Sequence, residues 1–200
     1  MTEHAEKARR FLALHRGERP LLLPNPWDQG SAKLLASLGF QALATTSSGH
    51  AATLGRLDGS VARDEAVGHA ASIVQATDLP VWAENYLHGR PDLDDTISRL
   101  QAYQAAGADV LYAPGLSRLE DIRDLVASVD RPVNVLARPG APAVSELAAV
   151  GVSRVSVGGA FAFAALGAVI EAARELRVEG TYTFLERASV GLQGARSAFG

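Results

Sequence analysis

The stretch LLASLGFQALATT (residues 34–46) carries the pattern that decides the fold. It reads as the end of an Ala/Leu-rich helix, a glycine at Gly39, and an apolar strand that stops at two threonines. The same order returns in QAAGADVLYAPG (104–115) around Gly107 and in LAAVGVSRVSVGG (147–159) around Gly151. Glycine suits the position just past a helix end, where the backbone turns left-handed and a Cβ would clash. Further strands are expected in PLLLPN (20–25), LPVWAEN (79–85) and RPVNVLA (131–137), runs too continuously apolar for a sheet with one wet face. Helical patterns fill the intervals at 28–38, 64–77, 92–106, 117–129, 143–150 and 160–177. Strict alternation of helices with six buried parallel strands specifies an α/β architecture.

The composition bounds what such a chain does. With 200 residues, 48% of them hydrophobic, it is long enough for one substantial core. We expect a single barrel-like domain over 1–200, with an N-terminal helix over 1–18 and a helical tail over 181–200. The 19 Lys and Arg and 22 Asp and Glu are interspersed, leaving no basic stripe for nucleic acid or an anionic membrane. No apolar run approaches the roughly 20 residues that cross a bilayer. The opening MTEHAEKARRFLALHRGE is a charged amphipathic helix without a signal peptide's apolar core, so a cytoplasmic location is expected. Absence of cysteine excludes disulfides, thiolate metal sites and any cysteine nucleophile or acid. Six strands are few for an eight-stranded barrel, which takes about 250 residues. Neither a GxGxxG after a strand nor a GxxxxGK[ST] occurs, so the usual nucleotide signatures of open sheets are missing too. Periodicity alone leaves barrel and open sheet both standing.

The strand ends separate them. PNPWDQGSAKLLASLGFQALATTSSGHAATLGRLDG (24–59), GRPDLDDTISRLQAYQAAGADVLYAPG (89–115), RPVNVLARPGAP (131–142) and GGAFAFAALGAVIEAARELRVEGTYTF (158–184) together span most of the chain. They resemble the isocitrate lyase/phosphoenolpyruvate mutase superfamily, in particular its bacterial phosphonomutase-like members. The resemblance implies a TIM-like barrel whose strand ends and a magnesium ion bind a 2-oxo acid. An enolate-like pyruvate is then stabilised while a C–C or P–C bond breaks or forms. A hard divalent ion suits that task, because it takes carboxylate and water oxygens and offsets charge growing on the substrate oxygen.

One segment departs from the resemblance. Relatives carry a strand ending in a motif like ADLENGYGD, a second ending in a Glu-Asp pair, and a third like ARTDNYLHG. This chain has only VWAENYLHG (81–89), as if the start of the first were joined to the end of the third. Two βα units are thus expected to be absent. The result is a TIM-barrel-like α/β fold shortened to about six βα units. It could be a closed small barrel, an open curled parallel sheet with an exposed edge between the second and third strands, or a sheet completed by another chain. Glu84 aligns with a family aspartate under either registration, which implies a catalytic and metal-binding carboxylate at the mouth. The Glu-Asp pair has no counterpart, and Trp82 stands where ARTD has its arginine, so no bidentate ion pair to a substrate carboxylate forms there.

By the same resemblance Ser47, Ser48, Gly49 and His50 are expected to contact the substrate carboxylate, the hydroxyls as donors and Gly49 by permitting close approach. The plainer alternative is a polar turn in which a serine caps the next helix. Asp58, in GRLDGS, matches a family aspartate near the metal and counts with Glu84 as a catalytic residue and magnesium ligand; its alternative is a plain Asp-Gly turn. Asn134 and Arg138, in PVNVLARPG, are candidate substrate-binding residues, while Tyr112 and Pro114 are expected to line the cavity floor. Asp28 is a good N-cap for the helix that follows it. Asp92, Asp94 and Asp95 read as an acidic first helical turn complementing the helix dipole, and His69 and His88 as structural or exposed.

Two functions follow as expectations. The first is a magnesium-dependent lyase or mutase acting on a small 2-oxo acid or phosphonate through an enolpyruvate-like intermediate. Isocitrate and methylisocitrate cleavage are disfavoured, since in the family they use a cysteine in a KKCGH-type loop. The second is a shortened, weakly active or inactive paralogue serving as a small-acid-binding or oligomer-forming scaffold. In either case the resemblance implies a homo-oligomer, with TYTFLERASVGLQGARSAFG (181–200) as a candidate contact.

Overall fold

The computed structural model describes residues 3–82, 93–105 and 108–200. In chain order the first elements are α1 (Glu3–Leu14), β1 (Leu21–Leu23), α2 (Gln29–Ser37), β2 (Leu43–Ala44), α3 (Ser47–Thr53), α4 (Arg63–Gln75) and β3 (Val81–Trp82). They are followed by α5 (Leu93–Ala105), β4 (Leu111–Tyr112), α6 (Leu119–Ala127), β5 (Val133–Leu136), α7 (Val144–Ala149), β6 (Arg154–Ser156), α8 (Ala160–Val178) and α9 (Leu185–Phe199). The described chain is α/β with parallel strands throughout, six of them, as its alternating pattern requires. It groups into two compact units, Met1–Pro24 with Asn85–Val157, and Asn25–Glu84 with Gly158–Gly200.

The first unit holds a four-stranded sheet in the order β1-β6-β5-β4. Leu21 pairs with Arg154, Asn134 with Arg154, and Leu111 with Val133. The first strand therefore lies beside the last, the neighbour relation by which a βα barrel closes on itself. Side chains alternate across the pleat. Val133, Val135 and Val155 face helices, packing with Leu100, Ile122, Leu125 and Leu147 into one buried cluster. Leu21, Leu23, Asn134, Arg154 and Ser156 are buried on the opposite face. Burial on both faces explains why these strands read as continuous apolar runs.

The second unit is built on β2 and β3, with Leu43 opposite Val81 and Ala44 opposite Trp82. Ala32, Leu35, Leu43 and Ile73 form its buried cluster, joining α2 and α4 to the strands. Helix α9 packs along α2, and α8 along α3. The exposed edge considered between the second and third strands is not there. Val81 and Trp82 of the third strand pair in parallel with Leu43 and Ala44 of the second.

Local chemistry sets the boundaries. Gly39 and Gly151 both have φ of 87°, just past α2 and α7, as their place in the repeated grammar requires; Gly107 lies outside the described residues. Asp28 caps α2 reciprocally with Ser31: its Oδ1 accepts from Ser31 N–H at 2.7 Å, and Ser31 Oγ accepts from Asp28 N–H at 3.1 Å. Asp94 and Asp95 occupy the first turn of α5, where Asp95 also meets Arg99 at 2.9 Å. The strands are two to four residues long, shorter than their apolar runs. Among the described residues no helix is long and apolar enough to cross a membrane.

Candidate functional site

Strand β2 delivers the run Thr45-Thr46-Ser47-Ser48-Gly49-His50 to the head of α3. The cap is Thr46 rather than a serine: its Oγ1 accepts from Gly49 N–H at 3.2 Å and lies 3.3 Å from Ser48 Oγ. Because β2 ends at Ala44, the backbone is still extended at Thr46 (φ −138°, ψ 116°) and already helical at Ser47. Ser47 is exposed and Ser48 half-buried. Gly49 is buried, and a Cβ there would stand 2.6 Å from Thr46 Cγ2, 3.1 Å from Trp27 Cβ and 3.2 Å from Ala162 Cβ. Packing between the PNPWD segment and α8 thus already demands glycine at this position. Gly159 does the same for Ser48, whose hydroxyl fills the space a side chain at 159 would take.

Asn25, which the sequence alone did not mark, organises this neighbourhood. It is fully buried, its Nδ2 donates to the Thr45 carbonyl at 2.8 Å, and its Oδ1 accepts from Gly158 N–H at 2.9 Å. One side chain ties the end of β2 to the turn that starts α8. Its only local signal is a polar residue between two prolines directly after an apolar strand.

A cleft of about 490 Å³ opens beside the turn, lined in part by Trp27, Asp28, His50, Thr53, His69 and Ser72. His50 faces it together with His69 of α4, the two rings stacked with centroids 3.9 Å apart and planes 14° from parallel. His69 Nε2 lies 3.0 Å from the Trp27 carbonyl, which makes that nitrogen the protonated one in the neutral ring. Burial holds His69 below the ordinary imidazole range, and the neighbouring His50 lowers it further, while the Trp27 carbonyl and Asp28 act the other way. His50 is also lowered by burial, opposed by Glu65 and reinforced by Arg56. Arg56 in turn holds Glu65 through its Nη1 at 3.0 and 3.1 Å. Helical geometry places Ser48 and His50 about 200° apart around α3, so the hydroxyl and the imidazole serve different surfaces.

The remaining candidates are dispersed. Asp58 is exposed and its Oδ1 accepts from Gly59 N–H at 3.0 Å, with Gly59 at φ 82°, which is the geometry of an Asp-Gly turn. Asn134 is fully buried and bonded at both ends of its amide: its Nδ2 donates to Ser156 Oγ at 3.0 Å, and its Oδ1 accepts from Arg154 Nε at 2.9 Å. Arg138 is exposed, donating to the Pro114 carbonyl at 3.4 Å. Trp82 ends β3, and Glu84, His88 and Asp92 lie outside the described residues. Among the described residues no group of three or more His, Cys, Asp or Glu is placed to hold a metal ion.

Comparison with known proteins adds three likenesses and one family. The phosphoenolpyruvate phosphomutase family model matches residues 11–85 and again residues 82–177, two stretches that overlap at the VWAEN segment. A crystal structure from Burkholderia cenocepacia J2315, described as a lyase/mutase, superposes with a TM-score of 0.89 at 38% identity, covering 98% of this chain and 97% of that one. An oxaloacetate decarboxylase of Chromohalobacter salexigens is 34% identical over 119 residues, 57% of this chain and 41% of that protein. A phosphonopyruvate hydrolase solved with oxalate and Mg²⁺ shares the fold at a TM-score of 0.75 and 17% identity, covering 95% of each chain.

Proposed function

Because the chain belongs to the phosphoenolpyruvate phosphomutase family of the isocitrate lyase superfamily, we propose that it is a magnesium-dependent lyase or mutase. Its substrate would be a small 2-oxo acid or phosphonate, processed through an enolpyruvate-like intermediate by C–C or P–C cleavage. The observation that carries this reading is the family match running through both units, from residue 11 to residue 177. Likeness to an oxaloacetate decarboxylase supports a 2-oxo acid, and the oxalate and Mg²⁺ of the phosphonopyruvate hydrolase support an enolate mimic as ligand.

In this reading Ser47 and Ser48 supply hydroxyl donors to the substrate carboxylate, at the C-terminal end of β2 where such folds carry their chemistry. Gly49 contributes by fitting the turn against Trp27 and Ala162. His50 lies at the cleft side of the same turn, and Arg138, an exposed cation, is kept as a candidate for substrate binding. Asn134 holds buried Arg154 in place. Glu84 and Asp58 are the carboxylates we assign to magnesium, which when bound would offset negative charge on the substrate oxygen. The two matched stretches overlap at residues 82–85, and we read that junction as the loss of two βα units, including the family's Glu-Asp pair.

We further propose a single domain over residues 1–200, a cytoplasmic location and a homo-oligomer. The last rests on α8 and α9: Phe163, Val169, Ile170, Val190 and Leu192 are all more than half exposed there, an apolar surface suited to another copy of the chain.

Calorimetric titration of oxalate, with and without magnesium, tests the proposal. Magnesium-dependent binding, weakened by about tenfold or more in both Glu84→Ala and Asp58→Ala, is expected. A cooperatively melting protein that binds no oxalate would instead identify the shortened scaffold.

A further inference from the structure

His69 lies on α4, outside the Ser47–His50 turn, yet it touches two of the segments that frame it. Its ring stacks on His50, and its Nε2–H donates to the Trp27 carbonyl. Trp27 Cβ in turn closes one side of the space around Gly49, with Thr46 and Ala162 closing the others. The space between Gly49 and Trp27 is too small for even a methyl, so the two segments are close packing neighbours.

We infer that His69 is a positioning residue for the turn Ser47–Gly49, holding it through His50 and the Trp27 carbonyl as long as the stacked pair carries no more than one positive charge. The inference rests on the reading of that turn as a substrate contact. Its basis is the surroundings of the pair. With Nε2–H committed to Trp27, a proton added to His69 goes to Nδ1. A second proton on His50 would then set two cations face to face at the 3.9 Å stacking distance. Among the described residues the charged groups facing the pair are Arg56, which follows α3, Glu65 on α4 and Asp28 at the head of α2. Arg56 adds to the repulsion. Glu65 is already engaged by Arg56 and by Ala62 N–H at 3.0 Å, and Asp28 by Ser31 N–H. Among the described residues the only counter-charges are these two carboxylates, each already hydrogen-bonded, so double protonation is relieved by parting the rings and drawing His69 away from Trp27.

The test begins on the ligand-free protein, following the Gly49 and Trp27 amides and the histidine rings by NMR from about pH 7.5 to pH 5, a window that brackets an ordinary imidazole. The Gly49 amide should move with the lower titration step of the pair. That lower step should be lost in His69→Phe, which keeps a stacking face without a proton site, and in His69→Gln, which keeps a donor for Trp27, leaving only the titration of the adjacent His50. A wild-type amide that follows neither histidine, or that titrates alike in the variants, overturns the inference. With magnesium present, oxalate affinity should fall roughly fivefold between pH 7.5 and pH 5.5 in the wild type and change less than about twofold in His69→Phe, a difference well beyond assay error. Equal pH dependence in the two proteins also overturns it. Absence of oxalate binding at every pH, with the Gly49 amide still tracking the pair, would sink the proposed function and leave the positioning role standing.

Discussion

Replacing Gly49 with alanine tests the packing of the turn directly, because the same substitution elsewhere in the protein should act with the opposite sign. A methyl at 49 would come within 2.6 Å of Thr46 Cγ2, far inside the ~3.5–4.0 Å optimum for carbon contacts. Thr46 does not rotate away freely, since its Oγ1 accepts from Gly49 N–H and caps α3. Giving up such a cap costs about 1 kcal/mol, and forcing an extra methyl into a packed site about 1–3 kcal/mol. Alanine's better helix propensity returns up to ~1 kcal/mol. The net expectation is a destabilisation of about 1–3 kcal/mol, or a melting temperature lower by roughly 2–12 °C for a chain of this size. Gly167, inside α8, has nothing within 4 Å of its would-be Cβ. Gly167→Ala should therefore stabilise by about 0.5–1 kcal/mol. Urea denaturation of both variants, followed by circular dichroism, gives the two signs. A Gly49→Ala protein as stable as the wild type would refute the claim that Trp27, Thr46 and Ala162 dictate the glycine.

Acid sensitivity should begin with the buried imidazoles. Burial holds His15, His50 and His69 below the usual 6.5, so the unfolded chain binds their protons first as pH falls. Stability is then fullest above about pH 6.5 and declines from there down to the folded values, and a urea midpoint that rises on acidification from pH 7.5 to pH 5.5 would contradict this. Asn134→Ala should cost about 1–3 kcal/mol, because Arg154 Nε and Ser156 Oγ both lose a buried partner. An unchanged midpoint in that variant would mean that the buried network does not stabilise the first unit.

Much of the architecture is legible in the linear chain because its signals are local. The helix-glycine-strand grammar at 34–46 and 147–159, the Asp28 cap and the acidic start of α5 each depend on neighbours a few residues away. So do the six strands of the described residues, which follow from the apolar runs. The cap of α3 was harder to place: the run Thr45-Thr46-Ser47-Ser48 offers four hydroxyls, and only the end of β2 at Ala44 decides which one sits at the helix boundary.

What the sequence by itself determined is the α/β class and the alternation, carried by patterns within single segments, and the membership of a family, carried by several such segments together. What only the tertiary structure decided is which distant residues meet. His50 and His69 stack across α3 and α4, Asn25 joins Thr45 to Gly158, Arg154 is buried against Asn134, and Gly49 answers to Trp27 and Ala162. None of these pairs has a spacing that announces it. Backbone preferences are set by adjacent residues, whereas side-chain neighbours are set by how helices and strands pack, and that packing depends on every element of the unit at once.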